Sequence, residues 1–238
     1  MQKLQKNWRK LTMANKTRVR ELGRLLNIQT VARKKYELEE SEVSNLDFLQ
    51  VIFERELEVR RQNAIKRNRK IANLPAIVYD ENRLHAGIKY QVKQLESCEW
   101  VSKIQNILIS GKPNKSKTAI AAHLASTAID KGHKAFYISL DEFLMVAKSK
   151  DALSGAKLTF GRIVKSDILV IDDFLYLDLL KQDLELLYKL LISLTSTTSI
   201  IFVSNRDPKD WIRSNIDDKY TLEFLISRAI AKCERMLV

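Results

Sequence analysis

Four short apolar runs, each tied to the next by a stretch of helical periodicity, constrain this chain more than any other feature. The runs are 106–110, Ala135–Ser139, Ile168–Asp172 and Ser199–Ser204. Their apolar residues are consecutive rather than alternating with polar ones, so both faces of each strand need cover. Helical patterns fit 117–131, 141–148, 156–165 and Lys181–Leu194, with two more near 208–213 and 220–231. This alternation predicts a parallel sheet covered by helices on both faces, a three-layer αβα domain. In such sheets ligands bind at the carboxyl ends of the strands.

The first third of the chain reads differently. Residues 3–26 have a helical pattern among basic residues, 41–45 reads as a turn, and Ser44 with Asp47 resembles a capping box. A long helix is expected over about 46–73, ended by Asn73-Leu74-Pro75, because proline removes a donor and disfavours helix before itself. The expected division is therefore a small all-helical region, 1–75, and an α/β domain, 76–238. Of the net charge of +12, most lies early: residues 1–75 hold 18 Lys+Arg against 9 Asp+Glu. Arg60, Arg61, Lys66, Arg67, Arg69 and Lys70 crowd the second half of the long helix and are candidates for DNA contact. Two cysteines and three histidines form no spaced cluster, which argues against a transition-metal site and for a reducing, cytoplasmic setting. No apolar run is long enough to span a bilayer.

Between the first apolar run and its helix stands Gly111-Lys112-Pro113-Asn114-Lys115-Ser116-Lys117-Thr118. A phosphate-binding loop has glycine, four residues, then Gly-Lys-Ser/Thr. Gly111, Lys117 and Thr118 match it, and Ser116 replaces the second glycine. In such a loop backbone N–H groups cradle ATP phosphates, Lys117 reaches the β- and γ-phosphates, and Thr118 ligates Mg²⁺. The third run ends in Asp172-Asp173. Asp172 is the candidate for organising Mg²⁺, and Asp173 for orienting an attacking water. Asn205, after the fourth run, reads either as a turn residue or as a sensor of the γ-phosphate, and Arg228 on the last helix reads either as a surface residue or as an arginine finger, the role that the resemblance described next implies.

Together with Trp211 and Leu225-Ile226-Ser227-Arg228, these segments resemble the IstB/DnaC-like group of AAA+ ATPases. Leu46-Asp47-Phe48-Leu49, Glu54, Glu56 and Arg60-Arg61 extend the resemblance toward the N-terminus. It implies an ATP-dependent, oligomeric DNA-binding protein with nucleotide at subunit interfaces. In the IstB branch such proteins bind duplex DNA and engage a transposase. In the DnaC branch they load a replicative helicase. Two departures matter: Ser116 stands for glycine and Asp173 for glutamate, so slow or absent hydrolysis is expected. Relatives run on into a final strand and tail. With only 234–238 left for them, an incomplete sheet edge and a truncated C-terminus are expected.

Overall fold

The computed structural model describes residues 21, 23–25, 27–28, 45–114, 116–214 and 219–238. The expected N-terminal helix, the turn at 41–45 and Ser44 lie largely outside the described residues. The chain divides into two compact units, 1–64 and 65–238. Helix α1 (Asn45–Ile71) matches the expected long helix closely. The division falls inside it, earlier than the expected linker near residue 75, and packing explains the difference. Ile65 and Ala72 are buried in the core of the second unit. The Asn68 side chain donates to the His133 carbonyl at 3.3 Å, and Tyr137 donates its backbone N–H to the Ala72 carbonyl at 2.9 Å.

Helices α2 (Ala86–Leu95) and α3 (Glu99–Ser102) precede the first strand. Neither has a side-chain cap, and Gly87 sits in the first turn of α2, so the sequence carries no start signal for them. There follow β1 (Ile107–Ser110), α4 (Lys117–Asp130), β2 (Ala135–Ser139), α5 (Leu140–Ser149), α6 (Ser154–Val164) and β3 (Ile168–Asp172). Then come α7 (Lys181–Leu194), β4 (Ser199–Ser204), α8 (Pro208–Ser214), α9 (Lys219–Leu225), one π-helical turn (Ile226–Ile230) and β5 (Glu234–Leu237).

The five strands are all parallel, in the order β2-β3-β4-β1-β5. All five residues of β3 are buried. Leu169 and Ile171 join one core cluster with α5 and α7, while Ile168 and Val170 join the other with α4. That division is the strand's period of two, and double cover accounts for its unbroken apolar run. The fold is thus the expected AAA+ P-loop arrangement, with the carboxyl ends of β1, β4 and β3 side by side.

Two expectations at the C-terminal end are corrected. An edge strand is present: β5 pairs with β1 from Ile107↔Glu234 to Ser110↔Leu237, so four residues suffice to match a four-residue strand. The single helix expected over 220–231 is interrupted by the π-turn, where Ala231 donates to the Ile226 carbonyl at 2.7 Å. Through this widening both Ala229 and Ile230 reach the core.

Candidate functional site

The loop after β1 is shaped by backbone. Gly111 has φ +145°, and a Cβ added there would lie 1.9 Å from the Val238 carbonyl oxygen. Only glycine fits, because β5 passes directly beside it. Asn114 (φ +60°) and Ser116 (φ +61°, ψ +10°) are both left-handed. Ser116 therefore takes the conformation of the glycine it replaces, in a region where a Cβ is strained. No side chain caps the start of α4, so its first N–H groups remain available to an anion. Lys112 keeps its side chain exposed, and Lys115 lies outside the described residues.

Lys117 is buried and donates from Nζ to the Lys112 carbonyl at 2.6 Å. Burial pulls its pKa down, while the charges of Asp172 and Asp173 pull it back up. Among the described residues the buried ammonium has one hydrogen-bond partner, a neutral carbonyl, and an anion in the cleft would be a stronger one.

Asp172 is buried at the end of β3. Its Oδ1 accepts from the Asp173 backbone N–H at 2.8 Å, and its Oδ2 accepts from the Tyr137 hydroxyl on β2. Burial and then the hydrogen bond to Asp172 push the Tyr137 phenol far above its ordinary pKa, so it stays a donor. Asp173 turns outward with φ +51°, and its pKa is raised by burial, then by Asp172 and Asp141. The turn is anchored by Phe174, whose N–H donates to the Val203 carbonyl at 2.8 Å. Its ring packs edge-on against Phe202 and Trp211, with centroids 4.7 and 5.4 Å away. Ser204 Oγ donates to the Phe174 carbonyl at 2.7 Å, so β4 fixes the β3 turn and Asn205 leaves from a braced end.

One cleft of about 410 Å³ gathers these groups. Asn114, Ser116, Lys117 and Thr118 line it from the loop, Asp172 and Asp173 from β3, and Asn205 from β4. Pro113 lies at its rim. Arg228 does not line it: it is exposed on the π-turn.

The sequence reading missed two contributors. Tyr137 could have been suspected as a phenol in the middle of an apolar strand, since a buried phenol needs a partner. The segment 77–83 also lines the cleft, through Ile77, Val78, Asp80 and Arg83, and Val78 is 86 % exposed. Tyr79 pins this segment to α4 by stacking on His123, with centroids 4.0 Å apart. His123 Nε2 lies 2.8 Å from Glu96 Oε1, and that bond lowers the Glu96 pKa.

The basic residues of α1 differ in their engagement. Arg60 Nε donates to Glu56 at 2.8 Å, and Arg61 lies 4.0 Å from Glu58. Arg69 grips both oxygens of Asp130 at 2.5 and 2.6 Å. Lys66, Arg67 and Lys70 are exposed.

A sequence profile of IstB-like ATP binding proteins matches residues 17–238. The chain belongs to the IstB-like ATP-binding family. An insertion-sequence IS21-like ATP-binding protein of Bacteroides fragilis is 29% identical over 203 residues, covering 84% of this chain and 77% of that protein. The fold is shared with the DnaI structure (TM-score 0.55, 16% identity, 71% of this chain and 93% of that one). It is shared also with the DnaC helicase loader (TM-score 0.54, 16% identity, 70% and 96%). Among the described residues, no helix is long and apolar enough to cross a membrane.

Proposed function

We propose that this IstB-like chain is an ATP- and Mg²⁺-dependent helper of transposition that oligomerises on duplex DNA and engages a transposase. The observation that carries the nucleotide part is the convergence of Lys117, Thr118, Asp172 and Asn205 on one cleft at the carboxyl ends of three adjacent strands. The DNA part rests on the exposed cations of α1 and on the naming of an IS21-like relative after an insertion sequence.

Among the described residues no cluster of three His, Cys, Asp or Glu offers a metal cage. Thr118 and Asp172 nevertheless suit Mg²⁺, which is commonly held by one or two protein oxygens together with nucleotide phosphates. When bound, the ion would neutralise charge on the β- and γ-phosphates. The chain's own groups then divide the work. The loop N–H groups and Lys117 bind phosphate, Tyr137 orients Asp172, and Asn205 contacts the terminal phosphate or water. Arg228, exposed on its π-turn, is offered to a neighbouring subunit's nucleotide.

Turnover is expected to be slow. Asp173 is one methylene shorter than glutamate, so its carboxylate reaches less far toward an attacking water. The test is a titration of duplex DNA at two salt concentrations with ATP and Mg²⁺ present, paired with a fluorescent-ATP titration of wild type and Lys117→Ala. Tight ATP binding lost in Lys117→Ala, and salt-sensitive DNA binding, are expected. Absence of DNA binding at low salt refutes the proposal. Steady hydrolysis at rates ordinary for such ATPases, abolished by Lys117→Ala, refutes the claim of slow turnover.

A further inference from the structure

A groove of about 610 Å³ lies in the second unit, remote from the nucleotide cleft. It opens at the amino ends of β2 and β3, beside Lys134 and Ser166, whereas the nucleotide cleft lies at the carboxyl ends. A nucleotide bound at Lys117 therefore leaves it free.

Five cations line it: Arg67 from the end of α1, Lys134 before β2, Lys157 and Arg162 on α6, and Lys165 just after α6. All five are exposed, no acidic residue lines the groove, and none of the five is ion-paired among the described residues. Neighbouring cations differ: Arg69 is held by Asp130 and Lys148 by Asp183. The nearby Asp167 points its carboxylate at the Lys134 backbone N–H, 2.8 Å away. Arg69 and Asn68 act as positioning residues, because their bonds to Asp130 and to the His133 carbonyl fix the α1 wall of the groove.

Unneutralised charges of one sign on several walls of an open groove raise the local concentration of a polyanion. We propose that this groove is a track for the phosphodiester backbone of DNA, formed by the ATPase unit itself. The proposal rests on the DNA-binding reading above and adds to it Lys134, Lys157, Arg162 and Lys165, which carry no sequence motif. Contacts of these side chains to phosphate oxygens carry no sequence information, so a backbone track binds duplexes of different sequence alike.

The experiment measures duplex DNA affinity of the full chain against salt concentration. Lys157→Gln/Arg162→Gln is compared with Lys209→Gln/Lys232→Gln, which removes the same charge from exposed sites elsewhere. Each lost phosphate contact lowers the slope of log K against log salt by about 1, so the groove pair should lower it by about 2 and the control pair should not. Both variants should retain ATP binding, which reports intact folding. As a second measurement on wild type, DNA should protect Lys134, Lys157 and Lys165 from an amine-acylating reagent. An unchanged slope in the groove pair, with wild type binding DNA, overturns the groove and leaves the proposed function standing. Failure of wild type to bind DNA at all overturns both. Equal protection by inorganic phosphate would make the groove a small-anion site, and protection by polyglutamate but not DNA would assign it to an acidic protein. Either result overturns the proposal.

Discussion

Ser116→Gly should stabilise the protein, because the native backbone already holds this residue in a glycine conformation. At φ +61° and ψ +10° a residue with Cβ carries a strain of roughly 1–2 kcal/mol. Ser116 makes no cap hydrogen bond to α4 in return. Glycine removes the strain but adds freedom to the unfolded chain, costing about 0.5–1 kcal/mol. The net gain is about 0.5–1 kcal/mol, which for a unit of this size raises Tm by roughly 1–4 °C. Urea denaturation should show a higher midpoint with an unchanged slope. Ser116→Ala is the control, since it keeps the Cβ and should not stabilise. ATP affinity should change little, because the loop geometry is the same in both proteins. A Ser116→Gly protein no more stable than wild type, or an alanine variant equally stabilised, would refute the reasoning.

The other predictions rest on neighbouring groups. Tyr137→Phe leaves the buried Asp172 carboxylate short of one donor and should cost about 1.5–3 kcal/mol in urea denaturation, with weaker Mg²⁺-dependent nucleotide binding. Gly111→Ala forces a Cβ onto the Val238 carbonyl at an unfavourable φ, so it should destabilise by several-fold more than Ser116→Gly stabilises, and equal stability would contradict the close approach. Asp173 has a folded pKa raised above its ordinary 3.8, so it favours folding at low pH and loses that contribution as pH rises through the folded value. Asp173→Asn should therefore be more stable than wild type at pH 7 and should lose that advantage on acidification. A pH-independent difference would count against it. Restoring Ser116→Gly and Asp173→Glu together should raise the ATP turnover rate, measured as phosphate release.

Much of the second unit was legible because its strands are covered on both faces. Burial on both sides forces consecutive apolar residues, and Ala135–Ser139, Ile168–Asp172, Lys181–Leu194 and Ser199–Ser204 have the expected ends. The elements that were missed lack that forcing. Helix α2 has no side-chain cap, and α3 follows Cys98 in a left-handed conformation, which no local signal announces. In β5 only Met236 is buried, so its sequence reads as a surface tail, and its pairing with β1 is decided by tertiary contact. The division at residue 64 rather than 75 is of the same kind. Proline marks where α1 must stop, whereas Ile65 and Ala72 mark which core its end joins, and only packing reveals that.

The site divides along a similar line. Lys117, Thr118, Asp172 and Asn205 could be placed at one end of the sheet, because Asp172 ends a strand, Asn205 follows one, and Lys117 and Thr118 open the helix after one, all at positions that the apolar pattern had located. Tyr137 and the 77–83 segment could not, since their roles depend on strand order and on the stacking of Tyr79 upon His123. The placement of Tyr137 gives the missed residues a common sense. It donates its backbone N–H to Ala72 and accepts at its carbonyl from the Asn73 side chain, while its hydroxyl holds Asp172. The end of α1, which forms one wall of the cationic groove, thus meets at one residue the carboxylate proposed to organise the metal. Were DNA in the groove to reposition the α1 end, it would work against these hydrogen bonds, and occupancy of the groove and of the nucleotide cleft would be coupled by the free energy by which those bonds differ between the two states. By linkage the coupling runs equally in both directions, and ATP with Mg²⁺ should alter DNA affinity by the same factor by which DNA alters ATP affinity.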